Sequence, residues 1–127
     1  MMYNKTTKPA VDTRAPVAKN FINAPNQVRE FRTGTNDSVR IASLGGFGDV
    51  TQNMFVYEFI PNNDQSKSQI IIVDCGVGFP EEDAFGVDLQ IPDTHYLQDK
   101  KDRILGIFIT HGHEDHIGAI KFVLPIL

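Results

Sequence analysis

The chain has 127 residues, room for one domain, and its 41% hydrophobic and 22% charged residues are an ordinary globular balance. It has no run of about eighteen apolar residues, which excludes a helical membrane span, and Met1-Met2-Tyr3-Asn4-Lys5-Thr6 lacks the apolar core of a signal peptide. The net charge of −4 is uneven: residues 1–32 carry six Lys or Arg against Asp12 and Glu30, while residues 33–127 carry six basic and fourteen acidic residues. An acidic body is a poor nucleic-acid surface on its own, because phosphate contacts dominate such affinity, although bound dications would offset part of the charge locally.

Residues 1–37 hold Pro9, Pro16 and Pro25, many Asn, Thr and Lys, and no sustained periodicity. They predict a disordered or extended basic tail, with Asn20-Phe21-Ile22 read as part of it; contact of this tail with RNA is a minor reading. The domain then occupies residues 38–127. Val39–Leu44 alternates apolar and polar residues, as an edge-facing strand would. Gly45-Gly46-Phe47-Gly48 is a turn, and no Lys-Ser/Thr follows at P-loop spacing. Residues 53–60 read as a second strand and 61–68 as a hydrophilic turn. Gln69–Val73 is apolar on both faces, which predicts covering layers on both sides. Cys75 reads as a small core residue at a strand end. As the sole cysteine it excludes an internal disulfide and fits a reducing, cytoplasmic setting.

Residues 76–92 form a long irregular connection in which Glu81, Glu82 and Asp83 make a solvated acidic turn. Asp93–Leu97 opens a short helix ending near Lys101, with His95 on the surface. Residues 103–109 are β-branched and aromatic, a buried strand, and residues 118–124 read as a short helix. Strands joined to helices in this way place the domain in the α/β (α+β) class.

Three of the four histidines fall between that last strand and helix, in Thr110-His111-Gly112-His113-Glu114-Asp115-His116-Ile117-Gly118. Ligands collect at the carboxyl ends of strands in open α/β layers. Imidazole nitrogen and carboxylate oxygen are ligands for first-row metals, and a divalent ion makes water acidic enough to act as a nucleophile near neutral pH. Three imidazoles and a carboxylate so close would repel or desolvate one another without a cation. His111 and His113, two apart on an extended loop, can face one metal, and Asp115 with His116 a second. Glu114 points elsewhere. Two ions roughly 3.5–4 Å apart suit phosphate-ester hydrolysis.

His111-x-His113-x-Asp115-His116 after an apolar strand resembles the metal motif of the metallo-β-lactamase superfamily. Leu44–Val50 with Asn53–Glu58, and Asp74–Glu82 with Gly86–Asp93, look like the ribonuclease J family within it. The likeness covers residue 39 to about 124. It implies an αββα sandwich of which this chain holds only the amino-terminal part, and two Zn²⁺ per complete site. His111 and His113 would hold one, Asp115 and His116 the other, and Asp115 would also orient the attacking water. Asp74 would brace the metal loop from behind. The implied substrate is RNA, cut endonucleolytically and from the 5′ end, in a cytoplasmic protein that is homo-oligomeric at full length. The family draws further ligands from later segments: a histidine, a bridging aspartate, and a histidine after a β-CASP insertion. The 127-residue chain contains none of these, so it is expected to have little or no activity alone and a sheet face left exposed. Thr51-Gln52 stands where Gly-Lys is usual, which puts any contact of that lysine in doubt. Two alternatives stay open. One is another hydrolase of the superfamily acting on thioesters or lactams, against which Phe79–Asp93 argues. The other is a non-catalytic, metal-binding fragment.

Overall fold

Alternating and β-branched runs build one sheet among the residues that the computed structural model describes, which are 27–32, 36–80 and 85–127. Residues 1–26, with the Asn20-Phe21-Ile22 segment, and the acidic turn at 81–83 lie outside the described residues. The strands are β1 (Gln27–Arg32), β2 (Ser38–Gly45), β3 (Met54–Ile60), β4 (Gln69–Val73) and β5 (Ile104–Phe108), in the order β1-β2-β3-β4-β5. The first three pairings are antiparallel, and β4 pairs with β5 in parallel. No helix among the described residues is long and apolar enough to cross a membrane.

β1 corrects two expectations. It lies inside the stretch 1–37 read as a tail, and it makes β2 an inner strand instead of an edge. Val28 and Phe31 occupy a strand with Arg29, Glu30 and Arg32, and these charges hid its pattern. The row across the sheet explains the pairing. Glu30 opposes Arg40, which opposes Glu58, and Arg40 Nε donates to Glu30 at 3.0 Å. Opposite charges facing each other across strands are favourable.

One face of the sheet carries the core. Ala42, Leu44, Met54, Val56, Ile70 and Ile72 are buried there with Cys75, Val77, Leu97, Ala119 and Val123. On the other face Phe55, Tyr57, Ile71 and Val73 are half-buried, and Phe31 and Phe59 are exposed. So β4 is covered fully on one side only among the described residues, against the expectation of two covering layers. This is the exposed sheet face expected of the chain, and it agrees with part of a sandwich fold.

The parallel pairing of β4 and β5 requires a crossover, residues 74–103. It carries no α-helix where one was expected near residues 93–101. Leu97 N donates to Thr94 O, Gln98 N to His95 O and Arg103 N to Lys100 O, bonds of the tighter three-residue turn, giving 3₁₀ turns at His95–Leu97 and Lys101–Arg103. Leu97 is buried from this segment, and Glu58 ties it to the sheet. Glu58 is 1% exposed on β3 and accepts from Tyr96 Oη at 2.6 Å, Ser68 Oγ at 2.8 Å and Lys100 Nζ at 3.2 Å. The crossover thereby delivers β5 beside β4.

Candidate metal centre

β4 and β5 end side by side, and the chemistry-bearing residues sit just beyond both ends. Asp74 follows β4 in the left-handed region at φ 63°, a conformation that Asp tolerates better than most residues. Its N–H donates to Phe108 O at 2.8 Å. Its Oδ1 accepts from Thr110 N at 2.8 Å, Thr110 Oγ1 lies 2.9 Å from Oδ2, and His116 Nδ1 lies 2.8 Å from Oδ2. Burial pushes the Asp74 carboxyl up, but the bonds from the Thr110 N–H, His116 and the Thr110 hydroxyl outweigh it and hold the carboxyl below the ordinary range. An ionised Asp74 is acceptor-only, so His116 carries a proton on Nδ1 and, in the neutral ring, keeps the Nε2 lone pair free.

The loop turns into helix earlier than expected. α1 spans Glu114–Ile117 and α2 spans Ile120–Val123, so Asp115 and His116 lie in the first turn of a helix instead of on the approach to one. The break between them has a hydrogen-bond cause. The carbonyl of Asp115, which would accept from Ala119 in a continuous helix, accepts from Asn53 N at 2.9 Å. Ala119 N turns to Cys75 O at 2.9 Å, while Cys75 N takes His116 O at 2.7 Å and Val77 N takes Glu114 O at 3.1 Å. The segment 75–77 therefore stitches α1 to the sheet. Gly76 permits the approach, since a Cβ there would lie 1.6 Å from Asp115 O.

This stitching sets the expected ligands side by side in pairs. The ring of His111 lies 4.0 Å from that of His116 and 4.6 Å from that of His113, centroid to centroid. Asp115 Oδ2 lies 3.2 Å from His116 Nε2. The donor types suit a divalent metal, and Asp115 with His116 forms a convergent oxygen–nitrogen pair. The set is partial: among the described residues no group of three or more His, Cys, Asp or Glu side chains is arranged to hold one ion. Glu114 is exposed, and its backbone carbonyl accepts from Val77 and Gly118. His95 is exposed on the crossover. Cys75 is fully buried, and burial pushes its thiol up to about 11, so it remains a protonated core residue at neutral pH.

Two residues of this centre had no role in the sequence reading. Thr110 Oγ1 lies between Asp74 and the rings, 3.0 Å from His111 Nδ1. Its single proton goes to the Asp74 carboxylate, so it accepts from a protonated His111 Nδ1 and leaves His111 Nε2 free. The signal was a hydroxyl residue directly before the first histidine. Asn53, just before β3, reaches both Asp115 and His116, and its only signal was an amide a few residues after a glycine-rich turn. Within that turn Thr51 N and Oγ1 bond Asp49 Oδ1 at 2.9 and 3.0 Å, and Gln52 N donates to Val77 O at 2.9 Å.

A family model described as "Metallo-beta-lactamase superfamily" matches residues 48–126. A ribonuclease J of Helicobacter pylori is 38% identical over 125 residues, which is 98% of this chain and 17% of that protein. A ribonuclease J of Mycobacterium tuberculosis is 42% identical over 92 residues, 72% of this chain and 15% of that protein. Ribonuclease J 2 of Staphylococcus aureus is 40% identical over 92 residues, again 72% and 15%. The chain spans between 12% and 17% of the length of the ribonuclease J relatives it matches.

Proposed function

This chain belongs to the metallo-beta-lactamase superfamily, and from that premise we propose that its histidine loop serves zinc-dependent hydrolysis of RNA phosphodiesters in the manner of ribonuclease J. The observation that carries the reading is the convergence of Asp115 Oδ2 and His116 Nε2 at 3.2 Å, with the His111 ring 4.0 Å from that of His116. RNA as substrate is supported by the names of the similar proteins. In this reading His111 and His113 would hold one zinc, and Asp115 and His116 the second. When bound, such ions supply charge stabilisation on the phosphate and water of lowered pKa. Asp115 would orient the attacking water through its carboxylate. Asp74 and Thr110 fix the rings of His116 and His111 with Nδ1 protonated, so that each presents Nε2. The protein acts on RNA in the cytoplasm as a homo-oligomer.

The 127-residue chain by itself has little or no activity in this reading. Catalytic zinc commonly takes three protein ligands, and this chain supplies two per ion. Substrate positioning also contributes several kcal/mol to barrier reduction, about 7–11 in the best-oriented cases, and the acidic surface of residues 33–127 offers an RNA strand little to hold. The test exchanges the matching segment of the Helicobacter pylori ribonuclease J for this chain and assays cleavage of 5′-labelled RNA. The expected result is metal-dependent cleavage that falls at least about 100-fold on His113→Ala. A folded, zinc-loaded chimera that leaves RNA intact while the parent cuts it would contradict the proposal.

A further inference from the structure

Asn53 is attached to the metal loop twice, once by its backbone and once by its side chain. The backbone attachment needs no particular residue: Asn53 N donates to Asp115 O, and Gly76 N donates to Asn53 O, both at 2.9 Å. The side-chain amide adds something different. Its Nδ2 lies 3.2 Å from Asp115 O, 3.4 Å from Val50 O, 3.4 Å from Asp115 Oδ2 and 3.4 Å from His116 Nε2. Two of these acceptors are the very atoms that converge at 3.2 Å.

That convergence calls for a donor. With Nδ1 turned to Asp74 at 2.8 Å, His116 directs Nε2 at a carboxylate oxygen, and an unprotonated Nε2 and a carboxylate are both acceptors. The Asn53 amide shares its two hydrogens among these four acceptors and so places a donor at this point. It supplies the positive end that lets Asp115 and His116 stay aimed at one place. The glycine-rich turn keeps the amide there. Gly46 sits at φ 76°, and a Cβ on it would lie 2.4 Å from Asn53 Oδ1. A side chain at 46 would push the amide off the two ligands. The turn, which showed no phosphate-binding pattern, thus has a use in the site.

We propose that Asn53 is a positioning residue that holds Asp115 Oδ2 and His116 Nε2 in convergent, metal-ready geometry, with Gly46 closing behind it. The proposal rests on the metal-centre reading for its purpose, but the geometry it asserts exists without metal and can be measured so.

The test uses the metal-free 127-residue chain. Long-range ¹H–¹⁵N spectra read the tautomer and hydrogen bonding of His116. Wild type is expected to show Nδ1–H and a hydrogen-bonded Nε2, with a nuclear Overhauser contact between the Asn53 amide protons and the His116 ring. Asn53→Ala is expected to move the Nε2 signal downfield and leave the fold intact by circular dichroism. An unchanged His116 spectrum in Asn53→Ala, or a wild type without the contact, overturns the proposal; the wild-type arm stands even if the variant does not fold. Zinc titration against a chelator forms the second arm. Asn53→Ala is expected to weaken zinc binding by about 10–100-fold, as loss of a ligand's supporting partner does elsewhere, while His95→Ala leaves it unchanged. Equal zinc affinity in wild type and Asn53→Ala overturns the positioning role. A wild type that takes up no zinc, yet shows the expected His116 shift on Asn53→Ala, overturns the metal reading and supports the positioning role.

Discussion

Replacing Glu58 with glutamine should destabilise the domain in a pH-dependent way, because one buried carboxylate holds the crossover that delivers β5. Glu58 is 1% exposed and accepts from Tyr96, Ser68 and Lys100, with Arg40 Nη1 at 3.8 Å. Burial pushes its carboxyl up, but the Tyr96 and Ser68 hydroxyls and the Lys100 ammonium outweigh that and hold it below the ordinary value of 4.5. Glutamine keeps one acceptor oxygen and loses the charge. Bonds to a charged acceptor contribute about 1 kcal/mol more than neutral ones, and two of these come from hydroxyls. The half-buried Lys100 also loses its counter-ion, and breaking such pairs costs about 3–5 kcal/mol in fully buried cases. A loss of about 3 kcal/mol follows, or roughly 12–24 °C in Tm at 4–8 °C per kcal/mol for a domain of this size. The assay is urea unfolding followed by circular dichroism, parent against variant, from pH 7 downward. A carboxyl whose folded pKa lies below its unfolded value stabilises fully above 4.5, and loses that contribution as pH falls through the folded pKa. The gap between parent and variant should therefore be full at pH 7 and close in acid. A gap under about 1 kcal/mol at pH 7, or one unchanged down to about pH 3, would refute the reasoning.

Gly76→Ala should cost about 3 kcal/mol and loosen α1, because the added Cβ meets the Asp115 carbonyl at 1.6 Å; thermal melting and the His116 resonances report both effects. Thr110→Val, nearly the same shape, should cost about 1–2 kcal/mol by removing the hydroxyl from Asp74 and His111, and urea unfolding measures it. Cys75 is fully buried, so a thiol reagent should label it only after denaturation; prompt labelling of the native chain would contradict its place in the core.

The parts of the site legible in sequence were those carried by residue type at short range. Imidazoles and a carboxylate packed into His111–His116 marked the candidate site, and the apolar run 103–109 placed it at a strand end. β3 and β4 were readable because their side chains alternate or are uniformly apolar. β1 was not, because Arg29, Glu30 and Arg32 gain their meaning only opposite Ile41, Arg40 and Ser38 on β2. The break between α1 and α2 was equally hidden. It depends on which distant N–H claims each carbonyl: Asn53 takes that of Asp115, and Cys75 that of His116. Asn53 and Thr110 escaped for the same reason, since an amide or hydroxyl acquires its role from partners such as Asp74 and Asp115 far along the chain. The covering of β4 depends on what packs on its second face, which strand composition alone does not reveal.

The central claim is that the loop 110–118 is a metal centre built from His111, His113, Asp115 and His116. Zinc content of the purified 127-residue chain after dialysis, beside His113→Ala and His95→Ala, tests it most directly. Zinc is expected above background in the wild type and in His95→Ala, below the two ions of a complete site, and is expected to be lost in His113→Ala. No zinc in the wild type, or equal zinc in all three, would contradict it.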